Sequence, residues 1–425
     1  FIQMMQDRTV NFYQTQRAAN LFFNNRARQK GDGWKPYKRW EWQAQQEIDA
    51  SGNFPNVYMQ DALRDLMIQQ SKGKDVFMPG IGGGPATCKK SGNWKEFGPN
   101  NLPTNNTGQI NGLGRINALG IHPVDTNIIF AGSCAGGMWK TTDGGSTWNV
   151  YTDSLPTLGV SAIAIDPNNP DTMYFGSGDR DHSSSVGYGV FKSTDGGTTW
   201  VQSNTGMGNR EIARLIIDQS NTAVLLAAAD NGIHRSTDYG ATWTRTFSTS
   251  YMKDIIFMPG NSNVVYAERS GRFYRSLNNG VTWTLITAGL PTTGRTRAVI
   301  DVNPLDSSLV YFWVANGSVN RGFYLSRDSG ATFVTQSTTP NIHDYSTGGT
   351  GTGGQAWYNK DMVTDPTDAG IIYAAGVNIF KSTDTGKTWT IAAYWVNQVH
   401  ADNHEMARCP ITKRIFAAND GGVFY

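Results

Sequence analysis

The chain has 425 residues, enough for two or three ordinary domains or one large repeat assembly. Charged residues make up only 16% and the formal net charge is +2, so there is no basic excess to neutralise nucleic-acid phosphates. It has 48 glycines, 12% aromatics and no apolar run of about 18 residues, which excludes a transmembrane helix and fits an all-β protein with many tight turns.

In chain order, residues 1–72 carry few turn signals and many Gln, Arg, Ala and Asn. Asn11 to Arg28 sets Phe12, Ala19, Leu21, Phe22 and Phe23 near helical spacing. Tyr37 to Ile48 reads as a short helix after Pro36, and Asp61 to Ile68 as a third. A helical N-terminal segment packed onto the remainder is expected, with the aromatic and basic run Trp34 to Trp42 laid on its wall or free to meet a partner or carbohydrate. Residues 73–113 read as a Gly-rich linker and a lead-in strand.

From residue 114 onward one octapeptide recurs, Ser/Thr-x-Asp-x-Gly-x-Thr-Trp. It spans Thr141 to Trp148, Ser193 to Trp200, Ser236 to Trp243 and Ser382 to Trp389. Two copies depart from it: Ser276 to Trp283 has Asn278 in place of Asp, and Ser326 to Phe333 ends in Phe. Each copy follows one short apolar strand and precedes another, so its Asp and Gly belong to a tight turn, with the carboxylate accepting hydrogen bonds from turn N–H groups. Asp143, Asp195, Asp238, Asn278, Asp328 and Asp384 are therefore structural residues. Between copies lies a second hairpin, as in Ile163 to Pro167 followed by Thr172 to Gly176. Four antiparallel strands per repeat of ~40–55 residues are the signature of a propeller blade. Six blades are marked this way, and a seventh begins near His400 and runs to Tyr425, where the next octapeptide would start. The expected fold is an all-β propeller over residues 114–425, with at least seven four-stranded blades. The last is incomplete here, and a longer natural protein is expected.

These octapeptides, with Gly114-Arg115-Ile116 and the Gly136-Gly137 turn, resemble the BNR/Asp-box propeller superfamily, which includes sialidases, xyloglucan-active glycoside hydrolases and the sortilin-type receptor domain. Asn11-Phe12-Tyr13, Gly33 to Trp42, His400 to His404 and Asn419 to Val423 are similar to segments of large secreted Bacteroidota propeller proteins. That resemblance spans nearly the whole chain. It implies export by the type IX secretion system, a C-terminal sorting domain beyond Tyr425, and an extracellular or outer cell-surface location.

Three constellations could carry chemistry. His400, Asp402 and His404 stand at i, i+2 and i+4, which on a strand would project them together toward the central channel. Two imidazoles and a carboxylate suit a divalent metal such as zinc, the one cofactor the sequence suggests; the competing role is a polar cluster closing the channel. Asp179 and Asp181, in the loop Gly178 to Gly187 with Arg180 and His182, could act as paired carboxylates in glycoside hydrolysis if held ~5–9 Å apart, or bind calcium. A solvated loop with an Asp–Arg pair competes with both. Arg115, Arg214, Arg295 and Arg297 could form a carboxylate clamp, but the Phe/Tyr-Arg-Ile-Pro motif of sialidases is missing.

The three cysteines, Cys88, Cys134 and Cys409, form no CxxC pair, which speaks against a four-ligand structural zinc. Cys134 and Cys409 would lie on neighbouring blades of a seven-blade ring, so a bridge between them is open to test.

With no complete catalytic motif, the functional expectation is a secreted, non-catalytic propeller. Its partners would be a protein or glycan ligand and the secretion machinery, with no nucleic acid. The alternatives are a glycoside hydrolase acting on polysaccharide and a sortilin-like peptide binder.

Overall fold

A computed structural model describes residues 1, 4–5, 10–24, 34–45, 48, 51–54, 112, 114–182 and 185–425. The third expected helix, the linker and Cys88 lie outside the described residues. Two compact units divide at Gly92 and Asn93.

In the N-terminal unit, α1 spans Phe12–Asn24 and α2 spans Trp34–Gln45. Asn11 caps α1, its Oδ1 accepting from Tyr13 N at 3.0 Å. Phe12, Thr15, Ala19 and Phe23 form the buried stripe of α1. Trp34, Tyr37 and Trp40 of the aromatic run pack against it, with Phe12 and Trp40 stacked at 5.6 Å and Phe23 and Tyr37 tilted at 5.6 Å. Helix α2 begins before Pro36 rather than after it, because the first helical turn needs no N–H from its residues.

The second unit is a ring of seven blades. Blade one holds β1 (Ile116–Ile121), β2 (Ile129–Ser133), β3 (Met138–Thr141) and β4 (Asn149–Val150). Blade two holds β5 (Val160–Ile165), β6 (Met173–Ser177), β7 (Val190–Ser193) and β8 (Val201–Gln202). Blade three holds β9 (Ile212–Ile217), β10 (Leu225–Ala229), β11 (Gly232–Ser236) and β12 (Thr244–Ser248). Blade four holds β13 (Asp254–Met258), β14 (Asn261–Arg269), β15 (Arg272–Ser276) and β16 (Thr284–Ile286). Blade five holds β17 (Arg297–Val302), β18 (Val310–Asn316), β19 (Val319–Ser326) and β20 (Val334–Ser337). Blade six holds β21 (Asp361–Thr364), β22 (Ile372–Ala375), β23 (Ile379–Ser382) and β24 (Thr390–Ala393). Blade seven shows three strands, β25 (Asn403–Arg408), β26 (Ile415–Asn419) and β27 (Gly422–Phe424). Every blade is an antiparallel meander in chain order. Each innermost strand neighbours the next, and β25 meets β1, so the ring closes at seven.

Alternation along the strands explains the ring. In β10, Leu225, Ala227 and Ala229 pack toward blade two, while Leu226 and Ala228 pack toward blade four. In β18, Val310, Phe312 and Val314 face blade four, and Tyr311 and Trp313 face blade six. Both faces of a blade are thus buried, and its middle strands read as continuous apolar runs. Apolar clusters fill all seven junctions between blades.

The octapeptides form the turns expected of them. In the second, Ser193 Oγ donates to Asp195 Oδ1 at 2.7 Å, while Thr199 N and Oγ1 donate to the carboxylate at 2.9 and 2.6 Å. In the fourth, Asn278 Oδ1 still accepts from Thr282 N at 2.9 Å, but its amide donates to Thr282 Oγ1, reversing that one bond. The residue after the Asp has a left-handed backbone even where it is Tyr239 (φ 57°) or Thr385 (φ 64°).

Cys134 and Cys409 are both free. Cys134 follows β2, at the Ile116 end of blade one, whereas Cys409 follows β25 and packs with Leu119 and Ile129 toward the other end. The blades are neighbours, but the thiols lie toward opposite faces of the ring, so the bridge does not form.

Candidate functional site

In a meander, the turns between second and third strands and the links to the next blade share one face of the ring. The octapeptide turns lie on the other face, so their aspartates are remote from the site. On the first face, the segment 178–182 of blade two, the long connection 338–360, the link 394–402 and the turn 419–422 converge at the channel mouth.

Asp179 and Asp181 are 1% and 8% exposed, not solvated. Asp179 pairs with Arg115 and accepts from Asn117 Nδ2 at 2.8 Å. Asp181 accepts from Arg297 NH2 at 2.7 Å and from His404 Nδ1 at 2.9 Å. Burial opposes its charge, but Arg297, His404 and Arg180 together hold its carboxyl well below the ordinary value. Arg180 donates to His404 O at 2.6 Å and lies 3.4 Å from Glu405. Arg214 lies 3.1 Å from Glu405 and 3.4 Å from Asp254. The loop therefore joins blade two to the blade-one residues Arg115 and Asn117 and to blades five and seven through ion pairs and hydrogen bonds.

His400, Asp402 and His404 do not converge. β25 begins only at Asn403, and Asp402 has a left-handed φ of 65°, which breaks the strand alternation that would have aligned the three side chains. The His400 ring lies over Gly421, where a Cβ would come within 2.4 Å of it. Among the described residues no group of three or more His, Cys, Asp or Glu is placed to hold a metal ion. His404 instead bridges two acids, Asp181 at Nδ1 and Asp420 at Nε2, the latter at 2.8 Å. Burial disfavours its charge, but these two carboxylates raise its pKa above the ordinary value.

Asp420, Asp402 and Tyr358 complete the mouth. Asp420 N donates to Ala401 O at 3.3 Å, which sets the two aspartates side by side. Asp402 is half-buried and accepts from Asn359 Nδ2 at 2.6 Å and Gln355 Nε2 at 3.2 Å. Burial, and then the charge of Asp420, push its carboxyl up. The Tyr358 hydroxyl accepts from Arg115 at 2.9 Å and donates to Asp420 at 3.3 Å, and the Tyr358 ring meets His404 edge-on at 4.8 Å. Nearby, Trp357 is 52% exposed. Asp420 stands in the Asn-Asp-Gly-Gly turn that the sequence singles out, but no spacing links it to Tyr358 or Arg297.

The proposed arginine clamp is divided. Arg115, Arg214 and Arg297 each have a carboxylate partner, while Arg295 donates to Pro291 O at 2.8 Å. A groove at the rim, lined by Leu325, Arg327, Asp328, Val334 and Lys387, lies among the octapeptide turns, away from the mouth.

No family model matches the sequence. A xyloglucanase of Paenibacillus sp is 27% identical over 334 residues, covering 63% of this chain and 30% of that protein. Xyloglucanase Xgh74A of Acetivibrio thermocellus is 25% identical over 334 residues, covering 67% and 39%. The chain thus spans about a third of the length of these curated relatives. Among solved structures, the GH74 enzyme of Niastella koreensis matches with a TM-score of 0.55 at 21% identity, over 74% of this chain and 52% of that one. YCF48 from Cyanidioschyzon merolae matches with a TM-score of 0.51 at 16% identity, over 73% and 95%. These structural likenesses speak for the propeller fold. The curated sequence relatives correct the expectation of a non-catalytic interaction propeller, because they are named for hydrolysis of a polysaccharide. Among the described residues no helix is long and apolar enough to cross a membrane.

Proposed function

We propose that this chain is a propeller module of a glycoside hydrolase acting on a xyloglucan-type polysaccharide outside the cell. The observation that carries it is the pair of neighbouring carboxyl groups at the channel mouth, Asp402 and Asp420, held in unlike environments. Asp402, whose carboxyl is pushed up by burial, is placed to deliver a proton to a glycosidic oxygen. Asp420, fixed by His404 and Tyr358, serves as base or nucleophile. The exposed Trp357 offers a flat apolar face for a sugar ring. Asp179 and Asp181 are counter-ions in this scheme, holding Arg115 and Arg297 beneath the mouth.

The sequence similarity to xyloglucanases over 334 residues supports the substrate class. Because those relatives are about three times longer than the matched part, the chain is read as one part of a larger enzyme. Export through the type IX secretion system belongs to the same proposal and rests on the N-terminal and His400 to His404 motifs.

The test is incubation of the protein with soluble xyloglucan and with cellulose, followed by reducing-end assay and mass spectrometry of the products. Release of xylose-bearing oligosaccharides from xyloglucan is expected. Absence of both cleavage and binding in affinity electrophoresis would remove the proposal.

A further inference from the structure

Deeper in the channel, five basic side chains line one narrow cavity: Arg180, Arg214 on β9, Lys253, Arg297 on β17 and Lys360. The carboxylates in the same lining are Asp254 and Asp361. Both already bridge to backbone of the next blade, Asp254 accepting from Ile300 N at 2.8 Å and Asp361 from Met406 N at 2.7 Å. Asp181 and Glu405, the partners of Arg180, Arg297 and Arg214, stand outside that lining.

Hydrogen-bond donors are left over. Among the described residues Arg180 Nε and Arg297 Nε are buried without a hydrogen-bond acceptor, Arg180 Nε standing 3.5 Å from Asp181 Oδ2. Lys360 is 1% exposed. Its Nζ meets His343 Nε2 at 3.3 Å and the Trp313 ring at 3.3 Å from the centroid. Burial holds this amine well below its ordinary pKa, and Arg297 adds to the effect. Buried donors without acceptors are costly, and the side chains bearing these line a single space.

We propose that this cavity binds a small inorganic anion of single charge, chloride in size, between Arg180, Arg297 and Lys360. The cavity is small, which suits a monatomic anion. The bound charge would also favour protonation of Lys360 and tie blades two, five and six at the axis. The site is separate from the carboxyl pair and does not depend on hydrolase activity.

Two measurements on the whole chain test it. Crystals grown in bromide should show an anomalous peak within hydrogen-bond reach of Arg297 and Lys360. Replacing gluconate by chloride at constant ionic strength should raise Tm saturably, and Lys360→Met should lose that rise. Bromide density absent from the cavity, or a chloride effect that persists undiminished in Lys360→Met, overturns the proposal. If Lys360→Met does not fold, the wild-type bromide map decides.

Discussion

Asp181, on a loop of the second blade, accepts a hydrogen bond at 2.9 Å from Nδ1 of His404, 223 residues later on the seventh. Nε2 meets Asp420 at 2.8 Å, so a carboxylate stands at each ring nitrogen of His404, and the pair raises its pKa against burial. The contact locks the first part of the ring to its last blade through fully buried charge. Such groups are expensive to uncover, because removing one partner strands the others.

Asp181→Ala should therefore destabilise the ring by about 3–5 kcal/mol, the range for breaking a buried ion pair, because Arg297, Arg180 and His404 lose their shared anion. Equilibrium urea unfolding measures it. A loss under about 1 kcal/mol would mean that water replaces the carboxylate at no great cost.

Stability should peak at mildly acidic pH. Glu268 is buried and its pKa is pushed up by burial from 4.5 to about 7, so its stabilising contribution is full below 4.5 and lost as pH rises to about 7. His404, also raised, extends the loss above 6.5. Asp195 and Asp384 act in the opposite sense. Hydrogen bonds from Thr199 set the first at about 2, and those from Thr388 offset burial to set the second there, so their contribution is lost as pH falls from 3.8 toward about 2. Urea midpoints at about pH 3, 5 and 8 should be highest at the middle value. Glu268→Gln should flatten the fall between 5 and 8, since an amide keeps the acceptor for Gly271 N and Ala298 N without an ionisable proton.

If the mouth is catalytic, Asp402→Asn and Asp420→Asn should each lower xyloglucan hydrolysis by about 10²-fold or more, within the range for a lost acid or base. Tm should move little in Asp402→Asn, whose side chain is half-buried at the mouth, whereas Asp420→Asn also takes a carboxylate from buried His404 and should lower it. Unchanged rates in both would move the chemistry elsewhere.

The ring was legible because its signals are local. Each octapeptide carries its whole turn within eight residues, so six blades could be counted from five aspartates, one asparagine, five tryptophans and one phenylalanine. The site was not legible in this way. The loop Asp179 to His182 stood out by its charge, but nothing in its sequence says that Asp181 meets Arg297 and His404 across the channel. The metal constellation failed at one residue: the left-handed Asp402 ends the strand register that i, i+2, i+4 reasoning assumes. Asp420 and Tyr358 acquire their roles from ring closure, which no window of sequence contains.

Closure also makes small residues necessary where blades touch. Gly132 on β2 faces Val160, the first residue of β5, and Gly176 on β6 faces Ile212, the first residue of β9. A Cβ at Gly176 would stand 2.5 Å from Ile212 Cγ2, closer than side-chain atoms approach. The backbone of Gly176 is an ordinary strand, so the constraint is space and not conformation. Gly176→Val must push Ile212 out of the cluster it shares with Ala162 and Val190, opening blade two from blade three near the loop that carries Asp179 and Asp181. A loss of about 1–3 kcal/mol is expected for such overpacking, read as a lower urea midpoint with unchanged slope. Gly176→Val combined with Ile212→Ala should recover part of it, because the double change returns the lost space. If the pair is instead additive, the strain lies elsewhere in the blade.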